Sequence, residues 1–168
     1  MVGGKRVSAA GERDIHVLAD LQRSQVEPLV RGLGSQFYVD PEMIRDGLKR
    51  RRAFHLIHDG SGLKLDVFPL TRDAFQQAQF ARRRWVRTAQ FGGEIDLPVA
   101  SAEDTILAKL QWYRLGGEVS ERQWHDVRGV VEVQKDRLEL GYLKRWAAHL
   151  EVSDLLARVL GGCGGAGA

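Results

Sequence analysis

The sequence predicts a mixed α/β fold of the α+β kind, a short sheet flanked by helices with a helical C-terminal half. Three observations carry this. Apolar and polar residues alternate with period two from Asp14 to Leu21, the spacing of a strand with one apolar face. Two β-rich runs, 53–58 and 63–70, are joined by Asp59-Gly60-Ser61-Gly62, a hairpin connector. From Ser101 onward apolar residues recur at helical spacing.

The elements follow in order. The strand 14–21 sets Ile15, Val17, Ala19 and Leu21 on one side and Asp14, His16, Leu18 and Asp20 on the other. Ser24 with Glu27 reads as a capping box for a helix whose apolar stripe is Val26, Leu29, Val30 and Leu33, closed by Gly32 and Gly34. Asp40-Pro41 starts a second helix, an N-cap followed by the residue that suits the first turn. After the hairpin, 73–84 reads as a polar helix and 85–97 as a short extended piece. Ser101 with Asp104 caps a helix carrying Ile106, Leu107, Leu110 and Tyr113, stopped by Gly116-Gly117. Ser120 with Gln123 caps the next, and two more span about 140–150 and 153–160. The expected organisation is an α/β core over 1–97, a helical lobe over 98–160 and a glycine-rich tail over 161–168 that is too small-sided to pack.

Composition narrows the class. The chain has 168 residues, 43% of them apolar, enough for one ordinary core. A single cysteine, Cys163, excludes an intrachain disulfide and any Cys₂His₂ or Cys₄ zinc site. No apolar run reaches the ~18 residues of a membrane span, and the N-terminus lacks a secretory apolar centre, so a cytoplasmic protein is expected. The net charge is +3, yet residues 45–87 hold eleven Lys or Arg against four Asp. Clustered guanidinium groups at 49–52 and 82–87 suit phosphates, although a solvated helix face has the same composition.

The chemistry-bearing residues concentrate on two strands. Alternation gives Asp14 and His16 one face, opposite the apolar one, and Asp66 stands in mid-strand between Leu65 and Val67, facing away from Leu63. Charge on a half-buried strand needs a partner. If the two strands are neighbours, Asp14, His16 and Asp66 converge as a divalent-metal site in which His16 favours Mn²⁺ or Zn²⁺ over Mg²⁺. The bland alternative pairs Asp14 with Arg13 and Asp66 with Lys64. His55 and His58 are at odd spacing on one strand, which argues against a joint site. Trp112, Tyr113, Trp124 and Trp146 read as packing residues.

Asp14-Ile15-His16-Val17 resembles the acidic-x-acidic strand of the DNA polymerase β-type nucleotidyltransferase superfamily, and Leu65-Asp66-Val67-Phe68 resembles its third-carboxylate strand. Val2-Gly3-Gly4 is similar to its glycine turn. The stretches 109–114 and 124–127 resemble the helical motifs of AbiEii-type toxin nucleotidyltransferases. The resemblance implies a nucleotidyltransferase fold and transfer of a nucleoside monophosphate from a triphosphate to a hydroxyl of RNA, protein or a small molecule. It implies Mg²⁺, with Mn²⁺ the alternative, held by Asp14, His16 and Asp66, with Asp14 and Asp66 catalytic. Gly3, Gly4 and Lys109 would meet the nucleotide phosphates, with Asp126 beside Lys109. Two departures stand out: His16 replaces the second acid, and the chain begins almost at the glycine turn. The first makes a degenerate nucleotide-, RNA- or partner-binding module the rival reading. The second implies an exposed sheet edge, hence a homodimer, and the helical half offers a third reading, an adaptor in a toxin–antitoxin pair with an antitoxin partner.

Overall fold

The computed structural model describes residues 14–89 and 94–162. The mixed α+β class is observed: a four-stranded mixed sheet, a two-stranded sheet and seven helices among the described residues. The chain divides into two compact units, the first ending at Gln77 and the second beginning at Ala78.

In the first unit, β1 (Asp14–Ala19) leads to α1 (Val26–Leu33), the short β2 (Phe37–Tyr38), α2 (Pro41–Arg50), β3 (Phe54–His58) and β4 (Leu63–Pro69). The sheet order is β1-β4-β3-β2, with β1 parallel to β4 and the remaining pairs antiparallel. The cap of α1 differs from the Ser24–Glu27 box expected. A 3₁₀ turn over Arg23–Gln25 precedes the helix, and the Gln22 amide donates to Gln25 Oε1 at 2.8 Å. The Asp40 cap is as expected, its carboxylate accepting from the Glu42 amide at 2.8 Å. The hairpin is also as expected: Gly62, at φ +64°, donates its amide to the His58 carbonyl, a conformation that favours glycine. The two-residue β2 was not foreseen, because so short a segment has no period.

One face of the sheet makes the core. Phe54, Leu56 and Val67 are buried there with Val26 of α1 and Ile44 of α2, and Val17, Ala19 and Leu65 pack against them. Gly47 explains how α2 comes so close. A Cβ at that position would stand 3.0 Å from Phe54 Cδ1 and 3.0 Å from the Arg52 carbonyl oxygen. The other face of β1, β4 and β3 is therefore free to be polar.

The boundary between units falls inside α3 (Ala74–Arg82). Beyond it the expected extended piece is a hairpin, β5 (Arg84–Thr88) antiparallel to β6 (Ile95–Val99), in a sheet of its own. Then come α4 (Ala102–Leu115), α5 (Glu121–Gln134), α6 (Leu140–His149) and α7 (Ser153–Gly162). Ser101 and Ser120 cap α4 and α5, accepting from the amides of Asp104 and Gln123. Ile106, Leu107, Leu110, Val127, Leu143, Ala147 and Val159 are wholly excluded from water and form the helical core.

The buried polar residues of this unit form one network. Asp104, 0% exposed, accepts from Tyr142 Oη at 2.6 Å and from Ser101 Oγ at 2.8 Å. The Arg82 guanidinium stacks over the Tyr142 ring at 4.0 Å and pairs with Glu139 at 2.9 Å, with Glu103 and Asp104 within 3.7 Å. Buried carboxylates are tolerable only when so satisfied. Trp124 and Tyr113 pack ring to ring at 5.4 Å, consistent with a packing role.

Candidate functional site

Pairing β1 with β4 sets His16 opposite Asp66, and pairing β4 with β3 sets Asp66 opposite His55. Directly opposed residues share a face. The three side chains therefore form a row across the sheet, on the side away from the Phe54–Leu56–Val67 core. His16 Nε2 lies 3.7 Å from Asp66 Oδ2, and His55 Nδ1 lies 3.1 Å from Asp66 Oδ1. Lys64 Nζ reaches both carboxylate oxygens, at 2.9 Å from Oδ1 and 3.2 Å from Oδ2. The carboxylate is half-buried while both imidazoles stand about half in solvent. The ring of His16 meets Phe68 edge-on at 5.8 Å.

Burial pushes the Asp66 carboxyl up, but hydrogen bonds from Lys64 and His55 and the charges of Lys64 and His16 outweigh it. Its pKa therefore lies below the ordinary carboxylate value. The site holds a fixed anion ringed by an ammonium and two imidazoles. Such a row can accept from a hydroxyl at Asp66 and donate to anionic oxygens from its rim.

The expected site residues fall out as follows. His16 and Asp66 are brought together. Asp14 stands opposite Lys64 in the register, and nothing further is described of its side chain. Gly3, Gly4 and Arg13 lie outside the described residues, as do Gly92-Gly93 and Cys163. Lys109 and Asp126 meet in the second unit, Nζ to Oδ2 at 3.0 Å, joining α4 to α5. Sequence reasoning missed His55, although the signal was present. A four-residue connector that sets His58 against Leu63 counts back to His55 against Asp66. His58 faces elsewhere, donating to or accepting from Ser61 Oγ at 2.9 Å.

A pair of Mg²⁺ ions needs several anionic oxygens. The described side chains of the row offer one carboxylate, and an ammonium already touches both of its oxygens. Among the described residues no group of three or more His, Cys, Asp or Glu is disposed to hold a metal.

The basic excess divides between the units, with 49–52 in the first and 82–87 in the second. Much of it is spent internally. Arg45 pairs with Glu27 and Glu42, Arg50 with Asp46, Arg82 with Glu139, and Arg87 with Asp96. No helix of the described residues is long and apolar enough to cross a membrane. No family model matches the chain, and neither a curated protein nor a solved structure matches it.

Proposed function

We propose that the polar row on β1, β4 and β3 is the site of a nucleotidyltransferase-like protein that takes a nucleoside triphosphate and passes its nucleoside monophosphate to a hydroxyl acceptor, the acceptor oxygen bonding to the α-phosphorus as the bond to pyrophosphate breaks. One observation carries this reading: two strands distant in sequence lie parallel, so that His16 faces Asp66 at 3.7 Å on the exposed side of a sheet whose other side is core. The resemblance of segments 14–17 and 65–68 to the superfamily's acidic strands supports it. Asp66, kept anionic, accepts a hydrogen bond from the attacking hydroxyl and orients its lone pair. Lys64, with His16 and His55 when protonated, faces the negative charge of the phosphates. Asp14 belongs to the same proposal through the resemblance alone.

A specific observation favours a second reading, a nucleotide- or RNA-binding module without catalysis. His16 occupies the second acidic position, and Lys64 and His55 occupy the oxygens of Asp66. One experiment decides. The purified chain is incubated with α-labelled nucleoside triphosphates, Mg²⁺ or Mn²⁺, and bulk RNA or protein, alongside Asp66→Ala and His16→Asp. Label transfer that Asp66→Ala abolishes supports the enzyme. Transfer that survives Asp66→Ala removes the site. Binding without transfer, unimproved by His16→Asp, establishes the module, and absence of nucleotide binding removes the class.

A further inference from the structure

At the ends of the parallel strands the first unit holds a second polar feature. Asp20, Arg51, Leu70, Thr71, Arg72 and Gln77 line a cavity of about 300 Å³. Asp20 directly follows β1, and Leu70 directly follows β4. The Leu70 amide donates to the Ala19 carbonyl at 2.8 Å, which carries the ladder one step past the strands. The cavity thus opens at the C-terminal ends of a parallel pair, where α/β sheets place their ligands. Its nearest lining residue along the chain, Leu70, stands four residues beyond Asp66, roughly 13 Å at the rise of a strand.

Two arginines line it from different elements. Arg51 caps the C-terminus of α2 at φ 55° and ψ 43°, the left-handed region where glycine is preferred. Arg72 sits in a braced loop. The Thr71 amide and hydroxyl both donate to Gln76 Oε1, the Asp73 amide donates to Thr71 Oγ1 at 3.1 Å, and the Gln77 side-chain amide donates to the Thr71 carbonyl. The backbone on either side of Arg72 is therefore fixed before any ligand arrives. Unlike Arg45, Arg50, Arg82 and Arg87, neither Arg51 nor Arg72 has an ion pair or side-chain hydrogen bond to another described residue. Asp20 is the one carboxylate in the lining.

We propose that this cavity binds the phosphate group of a small phosphorylated molecule, gripped by Arg51 and Arg72. Two planar forks that have no side-chain partner among the described residues match the oxygens of one phosphate bidentately. The volume suits a phosphate or diphosphate group. Asp20 opposes a bare dianion and is placed to accept from a hydroxyl carried by the phosphorylated molecule. The site needs no transfer chemistry at Asp66 and stands whether or not the protein is an enzyme.

The test is calorimetric titration of the full chain at low salt with pyrophosphate, inorganic phosphate, a nucleoside triphosphate and single-stranded RNA. Binding of pyrophosphate at one site is expected, weakened about tenfold or more by Arg51→Gly and by Arg72→Gln. The exposed control Arg31→Gln leaves it unchanged. Arg51→Gly accepts the left-handed conformation without strain, so its melting temperature is expected to hold or rise, and lost binding is then not lost folding. Equal affinity in Arg51→Gly and in the parent overturns the proposal. So does RNA binding that depends on both arginines while neither phosphate nor pyrophosphate binds. Because the readout is binding, a chain that holds pyrophosphate but transfers no label keeps this site and loses the enzymatic reading.

Discussion

Asp66 is the residue on which the polar face turns, and its ionisation is set by neighbours one strand position away. Its pKa is depressed in the folded chain, so its contribution to stability is present above the unfolded carboxyl value of about 3.9 and is lost as pH falls through the folded value. Lys64→Met removes the nearest cation. Its expected result is a higher Asp66 titration midpoint by NMR and a smaller loss of melting temperature between about pH 5 and pH 3. Tyr142 shows the opposite sign. Burial and its hydrogen bond to Asp104 hold the phenol far above its usual range. That contribution is complete below the unfolded phenol value of about 10 and disappears as pH rises through the folded one. Tyr142→Phe leaves a fully buried carboxylate one donor short, and about 1.5–3 kcal/mol of stability is expected to go, measured by denaturant unfolding at neutral pH.

Elements were legible where a local rule fixes them. The Asp40-Pro41 cap, the serine caps of α4 and α5, and the hairpin between β3 and β4 all announce themselves within a few residues. In place of the Ser24–Glu27 box, the reciprocal bonds form two residues earlier, from the Gln22 amide to Gln25 Oε1 and from the Gln25 amide to the Gln22 carbonyl. The β5–β6 pairing was read only as an extended piece, since its strands have no buried face to impose alternation. Packing between elements shows at Gly47. Alanine is the better helix former by about 1 kcal/mol, yet Gly47→Ala is expected to destabilise the chain, because the added methyl meets the Phe54 ring and the Arg52 carbonyl. Phe54→Ala, which empties the centre of the same core, is expected to cost about 3–5 kcal/mol in equilibrium unfolding.

Across the whole molecule, alternation told which residues share a face but not which strands are neighbours. That β1 lies beside β4, and not beside the strand that follows it in sequence, is a matter of topology that brings His16 to Asp66 across 50 residues. The net charge was similarly uninformative, because four arginines of the basic stretch pair with acids within their own units while Arg51 and Arg72 have no ion pair among the described residues. The most direct measurement of the polar row is NMR of the histidine imidazoles and the β1 and β4 amides during titration with a nucleoside triphosphate. Shifts at His16 and His55 that Asp66→Asn abolishes are expected. Imidazoles that stay still while nucleotide saturates the chain would place the reaction elsewhere and contradict the proposed site.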